Sequence, residues 1–149
     1  MTSPAGDDFV GLDKQLCFAI YSAGIAFTAA YKPILEPHGL TYPQFLVLLA
    51  LWEKDGVPLK DISDRLGLDP GSVTPLLKKL EGMGLLRRGR DPKNERQLFV
   101  ELTDQGQALR PLVGEARCAF MRALDGEESI LKARDEVARV TRLLQASLP

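Results

Sequence analysis

The sequence predicts a mainly α fold with one small β-hairpin wing, and three observations lead there. Apolar residues recur at helical spacing along most of the chain. Period-two alternation stands out once, in Gln97-Leu98-Phe99-Val100-Glu101-Leu102. The run Gly89 to Arg96 just before it is charged and rich in turn residues, as a hairpin tip is. The length of 149 residues fits one domain, or a domain with helical extensions.

Leu12 to Tyr31 reads as a long helix broken by Pro33 and Pro37. Thr41 can cap a second helix that has Pro43 in its first turn, runs to about Lys54 and ends at Asp55-Gly56. Leu59, Ile62 and Leu66 mark a short amphipathic helix stopped by Gly67. Asp69 is a candidate cap for the next helix, with Pro70 following, and Val73, Leu76, Leu77 and Leu80 form its apolar stripe. Pro75 suits that helix best if the true cap is Ser72, which would put it in the first turn. Two short helices joined by a glycine-containing turn make a helix-turn-helix, and the basic-tipped hairpin after it makes the unit a winged helix.

On a helical wheel centred on Val73, the leucines cluster within about 60°, while Thr74, Pro75, Lys78 and Lys79 fall on the opposite arc. That face, opened by Ser72, offers hydroxyls and ammonium groups to base edges and phosphates. The wing adds Arg88, Arg90, Lys93 and Arg96, for the DNA backbone or the narrow minor groove. Net charge is −1, yet Lys78 to Arg96 holds seven basic residues against three acidic ones, a local +4 on an otherwise acidic chain. Such a patch is the footprint of a small surface for double-stranded operator DNA.

After the hairpin, Thr103-Asp104 opens a helix with Leu109, Leu112, Val113, Ala116 and Phe120 on one stripe and a kink expected at Pro111. A last helix from about Glu127 carries Ile130, Leu131, Val137, Val140, Leu143, Leu144 and Leu148. The division expected is a winged helix at about 56–103, with dimerisation helices at about 10–55 and 104–149. The surplus apolar faces call for a second copy of the chain, and a two-fold dimer sets recognition helices one DNA turn apart.

Other classes find little support. The longest uninterrupted apolar run, Phe45 to Trp52, is far shorter than the ~18 residues of a membrane span, and Met1 to Asp8 has no leader pattern. No membrane partner and a cytoplasmic location are therefore expected. One histidine, His38, and two cysteines do not make a metal site, and the common nucleotide and hydrolase motifs are missing. A regulator without a metal or cofactor is expected, and not an enzyme.

Several segments resemble a known family. The helix-turn-helix, the hairpin Arg90-Asp91-Pro92-Lys93-Asn94-Glu95-Arg96-Gln97 and the exit Leu102-Thr103-Asp104-Gln105-Gly106 look like the MarR family of dimeric winged-helix regulators. Leu12 to Tyr21, Gly39 to Phe45 and Leu68 to Leu80 resemble its organic-hydroperoxide-sensing branch, the OhrR-type repressors. The wing departs from the family's Asp-x-Arg tip, having Asn94-Glu95-Arg96 in its place. The resemblance implies a homodimeric repressor that binds DNA when reduced and is released when Cys17 is oxidised by an organic hydroperoxide.

The residues bear on this chemistry by themselves. With Cys17 at zero on the wheel, Tyr21, Gly24, Thr28 and Tyr31 all fall within about 40°. A thiolate attacks peroxides, and phenolic hydroxyls can stabilise it. Tyr21 is one turn from Cys17. Tyr31 is roughly 21 Å away along a helix and could serve Cys17 only from a partner subunit. The resemblance implies the same for Tyr31 and Tyr42, with Tyr21 nearby. By spacing alone, a buried structural cysteine among core tyrosines is an equal reading.

Cys118 lies about 180° from Leu109, off its helix's apolar stripe. The resemblance implies a second cysteine that resolves the oxidised first one across the dimer, and Cys118 is similar in location. An incidental surface cysteine, with a small cellular thiol capping Cys17 instead, is the alternative. A MarR-type regulator answering a non-oxidant small ligand is the other function to weigh.

Overall fold

A helical stretch interrupted by prolines need not break, as the first helix illustrates. In the computed structural model, which describes residues 11–149 except 92 and 125, α1 runs Leu16–Leu35 with Pro33 inside it. A 3₁₀ turn at Leu12–Lys14 precedes α1 and another at Glu36–His38 holds Pro37. The expected break at Pro33 is therefore corrected. Pro33 and Ala29, whose carbonyl loses its partner, are both exposed, so the missing bond does not bury an unpaired oxygen. The reading of Met1 to Asp8 and of Pro92 lies outside the described residues.

α2 spans Tyr42–Glu53 and opens with a full capping box, in which the Thr41 side chain accepts from the Gln44 N–H and Gln44 Oε1 accepts from the Thr41 N–H. β1 (Val57–Pro58) follows, then α3 (Leu59–Leu66), which ends at Gly67 in the left-handed region with φ of 69°. α4 covers Pro70–Gly82, β2 Leu86–Asp91 and β3 Asn94–Leu102. β1 and β2 both pair antiparallel with β3, giving the order β1-β3-β2, so the expected hairpin belongs to a three-stranded sheet. A two-residue strand carries too few side chains for its alternation to register in the sequence.

The chain divides into two compact units, one ending at Gly106 and one beginning at Gln107. The core of the first holds Phe45, Val47, Leu48 and Leu51 of α2, Ile62 of α3, Val73, Leu77 and Leu80 of α4, and Leu86 and Val100 of the sheet. α2 packs on α3 and α4, so it builds the winged helix as well as leading into it. Trp52 donates from Nε1 to the Gly106 carbonyl at 3.0 Å, and the Thr103 hydroxyl donates to the Gly84 carbonyl at 2.6 Å. A Cβ on Gly106 would overlap the carbonyl oxygen of Leu85, so this close approach requires glycine.

The second unit consists of the rest of α5 (Asp104–Arg122) and α6 (Glu127–Ser147). Pro111 lies inside α5, again at an exposed position. On α6, Leu131, Val137, Leu143 and Leu144 are exposed, as is Leu148 just past its end.

Candidate functional site

α4 gets its start from Asp69, whose carboxylate accepts the Ser72 N–H at 2.6 Å. This corrects the Ser72 cap. Pro75 consequently lies past the first turn, in the helix proper, with its ring exposed. Ser72, Pro75, Lys78 and Lys79 are exposed on α4, opposite buried Val73, Leu77 and Leu80. Thr74 is half-buried, and its hydroxyl donates to the Pro70 carbonyl at 2.8 Å. Arg90, Lys93 and Arg96 are exposed around the wing tip; the side chains of Asn94 and Glu95 lie outside the described residues.

Arg88 is half-buried. Its Nε and Nη2 donate to Glu81 Oε1 at 3.1 and 3.0 Å, and its main-chain N–H donates to Glu81 Oε2 at 3.1 Å. The hydrogen bonds from Arg88 hold the Glu81 carboxyl below its ordinary pKa. Sequence reasoning counted Glu81 only as an opposing charge. An acidic residue in the last turn of a helix, against the dipole, is the signal that it has a tertiary partner.

The two thiols are free and exposed, Cys17 on α1 and Cys118 on α5. The reading of Cys17 as a buried core cysteine is thus set aside. Its Sγ lies 3.9 Å from Gln15 Oε1. Tyr21, one turn on, is 67% exposed, whereas Tyr31 is 5% exposed and half-buried Tyr42 packs on it with ring centroids 5.1 Å apart. Tyr31 also packs on Phe45, at 5.6 Å. A groove of about 920 Å³ runs between α1 and the start of α2, with Tyr21, Ile25, Thr28, Lys32 and Tyr42 in its walls. Within one chain, therefore, Tyr31 and Tyr42 come together, and Tyr21 and Tyr42 share a groove. Cys17 sits one turn beyond the groove's lining and is not part of it.

The transcriptional regulator SarA/Rot family matches residues 29–110, more than half the chain. The chain is 41% identical over 103 residues to the organic hydroperoxide resistance transcriptional regulator of Bacillus subtilis, covering 69% of this chain and 70% of that one. The chain belongs to the SarA/Rot family of MarR-like transcriptional regulators. The regulator TtmR of Methylorubrum extorquens is 53% identical over 110 residues, 74% of this chain. The match spans only 56% of TtmR's own length. Among solved structures, reduced AbfR bound to DNA superposes with a TM-score of 0.75 at 36% identity, covering 89% of this chain and 93% of that one. Disulfide-formed AbfR gives 0.69 at 34%, with coverages of 89% and 91%; the regulator is from Staphylococcus epidermidis. This SarA/Rot member is accordingly a DNA-binding transcriptional regulator with a winged helix, and its relatives are regulators, not enzymes.

Leu16–His38 contains an 18-residue window with a mean hydropathy of 1.2, enough by length and composition alone to cross a membrane, a property that an apolar helix of a soluble protein shares. Most of its apolar surface is exposed, including Leu16, Phe18 and Ile25.

Proposed function

We propose that this chain is a homodimeric, cytoplasmic repressor that holds operator DNA when reduced and is released when an organic hydroperoxide oxidises Cys17. The observation carrying the reading is an exposed thiol one helical turn from Tyr21, just beyond the lining of an apolar groove, in a chain 41% identical to a hydroperoxide-resistance regulator. The Cys17 thiolate attacks the terminal peroxide oxygen, the O–O bond breaks, and the alcohol leaves as Cys17 becomes a sulfenic acid. Cys118 of the other subunit then condenses with that sulfenic acid, forming a disulfide and releasing water. AbfR, solved both reduced on DNA and disulfide-formed, is a precedent for such a pair of states. The exposed apolar faces of α1 and α6 support the dimer, since one copy leaves them in water.

In this reading Ser72, Thr74, Pro75, Lys78 and Lys79 face the major groove, while Arg90, Lys93 and Arg96 reach the backbone or minor groove. Tyr31 and Tyr42 serve the partner subunit's thiol. The test is a non-reducing gel with intact mass spectrometry after one equivalent of cumene hydroperoxide. A dimer band lost in both Cys17→Ser and Cys118→Ser is expected. A monomer with no added oxygen at Cys17 would overturn the redox reading. A second reading rests on the groove, whose size and apolar walls also suit a non-oxidant phenolic ligand. Under that reading, release by such a ligand persists in Cys17→Ser.

A further inference from the structure

We infer that Glu81 and Arg88 form a positioning pair that fixes the wing against the recognition helix, and that Arg88 is not itself a phosphate contact. The inference rests on the DNA-binding reading of α4 and the wing, and reassigns one of that surface's own arginines.

Three features carry it. Both carboxylate oxygens of Glu81 are used, one by the Arg88 guanidinium and one by the Arg88 main-chain N–H. The contact therefore grips the backbone of β2 as well as a side chain. β2 is an edge strand, paired only with β3, and an N–H on its open side needs an acceptor from elsewhere. Glu81 provides one from the last turn of α4. The Arg88 side chain is 21% exposed, with two guanidinium donors committed to Glu81 beside the main-chain bond, so its charge is largely neutralised before DNA arrives. Lys78 and Lys79 are by contrast exposed.

The link between α4 and β2 is short, residues 83–85, so the pair closes a small loop at the point where reading helix and wing diverge. Losing it frees the base of the wing to change its angle to α4. Bare electrostatics predicts the opposite sign, because removing an acidic residue beside DNA lessens repulsion. The sign of one substitution thus separates the two ideas.

The experiment measures the affinity of the reduced, full-length protein for a duplex it selects from a random library, across a series of salt concentrations. Wild type, Glu81→Ala, Arg88→Ala and Lys78→Ala are compared, with thermal melts of each. The inference expects Glu81→Ala to weaken binding by about tenfold despite its lost negative charge. It expects Arg88→Ala to weaken binding with an unchanged slope of log affinity on log salt, while Lys78→Ala lowers that slope by about one. Backbone hydrogen exchange at Arg88 should quicken in Glu81→Ala. If Glu81→Ala does not fold, Glu81→Gln replaces it, keeping the shape and losing the charge, with the same direction expected. Binding by the Glu81 variants as tight as wild type, or a slope lowered by one in Arg88→Ala, overturns the inference. A wild-type protein that selects no duplex would instead overturn the DNA-binding reading beneath it.

Discussion

Cys17 owes its exposure to where α1 begins. It lies in the first turn of the helix, exposed, before the chain reaches the buried tyrosine at position 31. The helical wheel put the thiol and the tyrosines on one stripe, and that much was legible from spacing. What spacing did not contain is which of them the fold buries, because burial of Tyr31 comes from Tyr42 and Phe45 of α2. Glu81 makes the same point: its partner is seven residues on, across a turn, where no periodicity links them. The hydrogen bonds from Arg88 hold its carboxyl below the ordinary glutamate range, and the stabilisation they bring is present above that range and lost as pH falls through the lowered value. An NMR titration should find the low midpoint in wild type and a return to the ordinary range in Arg88→Ala. Gly106 offers a harder test. Gly106→Ala drives a methyl into the Leu85 carbonyl, and a loss of about 1–3 kcal/mol or more is expected by denaturant unfolding.

At the scale of elements, the stop and start signals were the legible part. Thr41, Gly67 and Asp69 each do in the structure what their residue type suggests, because capping depends on a few neighbouring backbone groups. The prolines misled for the complementary reason. Pro33 and Pro75 lie within α1 and α4, at exposed positions where the carbonyl left without its N–H belongs to exposed Ala29 or Gly71. A proline's cost depends on which way its helix face points, and that is set by packing. Pro75 still removes one bond from α4, so Pro75→Ala is expected to raise stability by about 1–2 kcal/mol. A thermal melt checks this; a lower melting temperature would mean that Pro75 packs in a way its exposed ring does not suggest.

For the molecule as a whole, charge and apolar surface tell one story. A chain of net charge −1 concentrates +4 between Lys78 and Arg96, on the recognition helix and wing. Exposed apolar side chains include Leu16, Phe18, Ile25 and Phe27 of α1 and Leu131, Val137, Leu143 and Leu144 of α6. In the proposed dimer, the charged patch faces a polyanion and these apolar faces meet a second copy. Detergent-free analytical ultracentrifugation should accordingly find twice the chain mass of 16.4 kDa. A stable monomer would leave the apolar face of Leu16–His38 in need of another cover, such as a bilayer.

The central claim is that oxidation at Cys17 releases DNA. Fluorescence anisotropy of the selected duplex, at fixed salt, tests it most directly. The reduced protein should bind, one equivalent of cumene hydroperoxide should abolish binding, dithiothreitol should restore it, and Cys17→Ser should bind throughout. Unchanged affinity of the wild type after peroxide, with the duplex still bound, would contradict the claim.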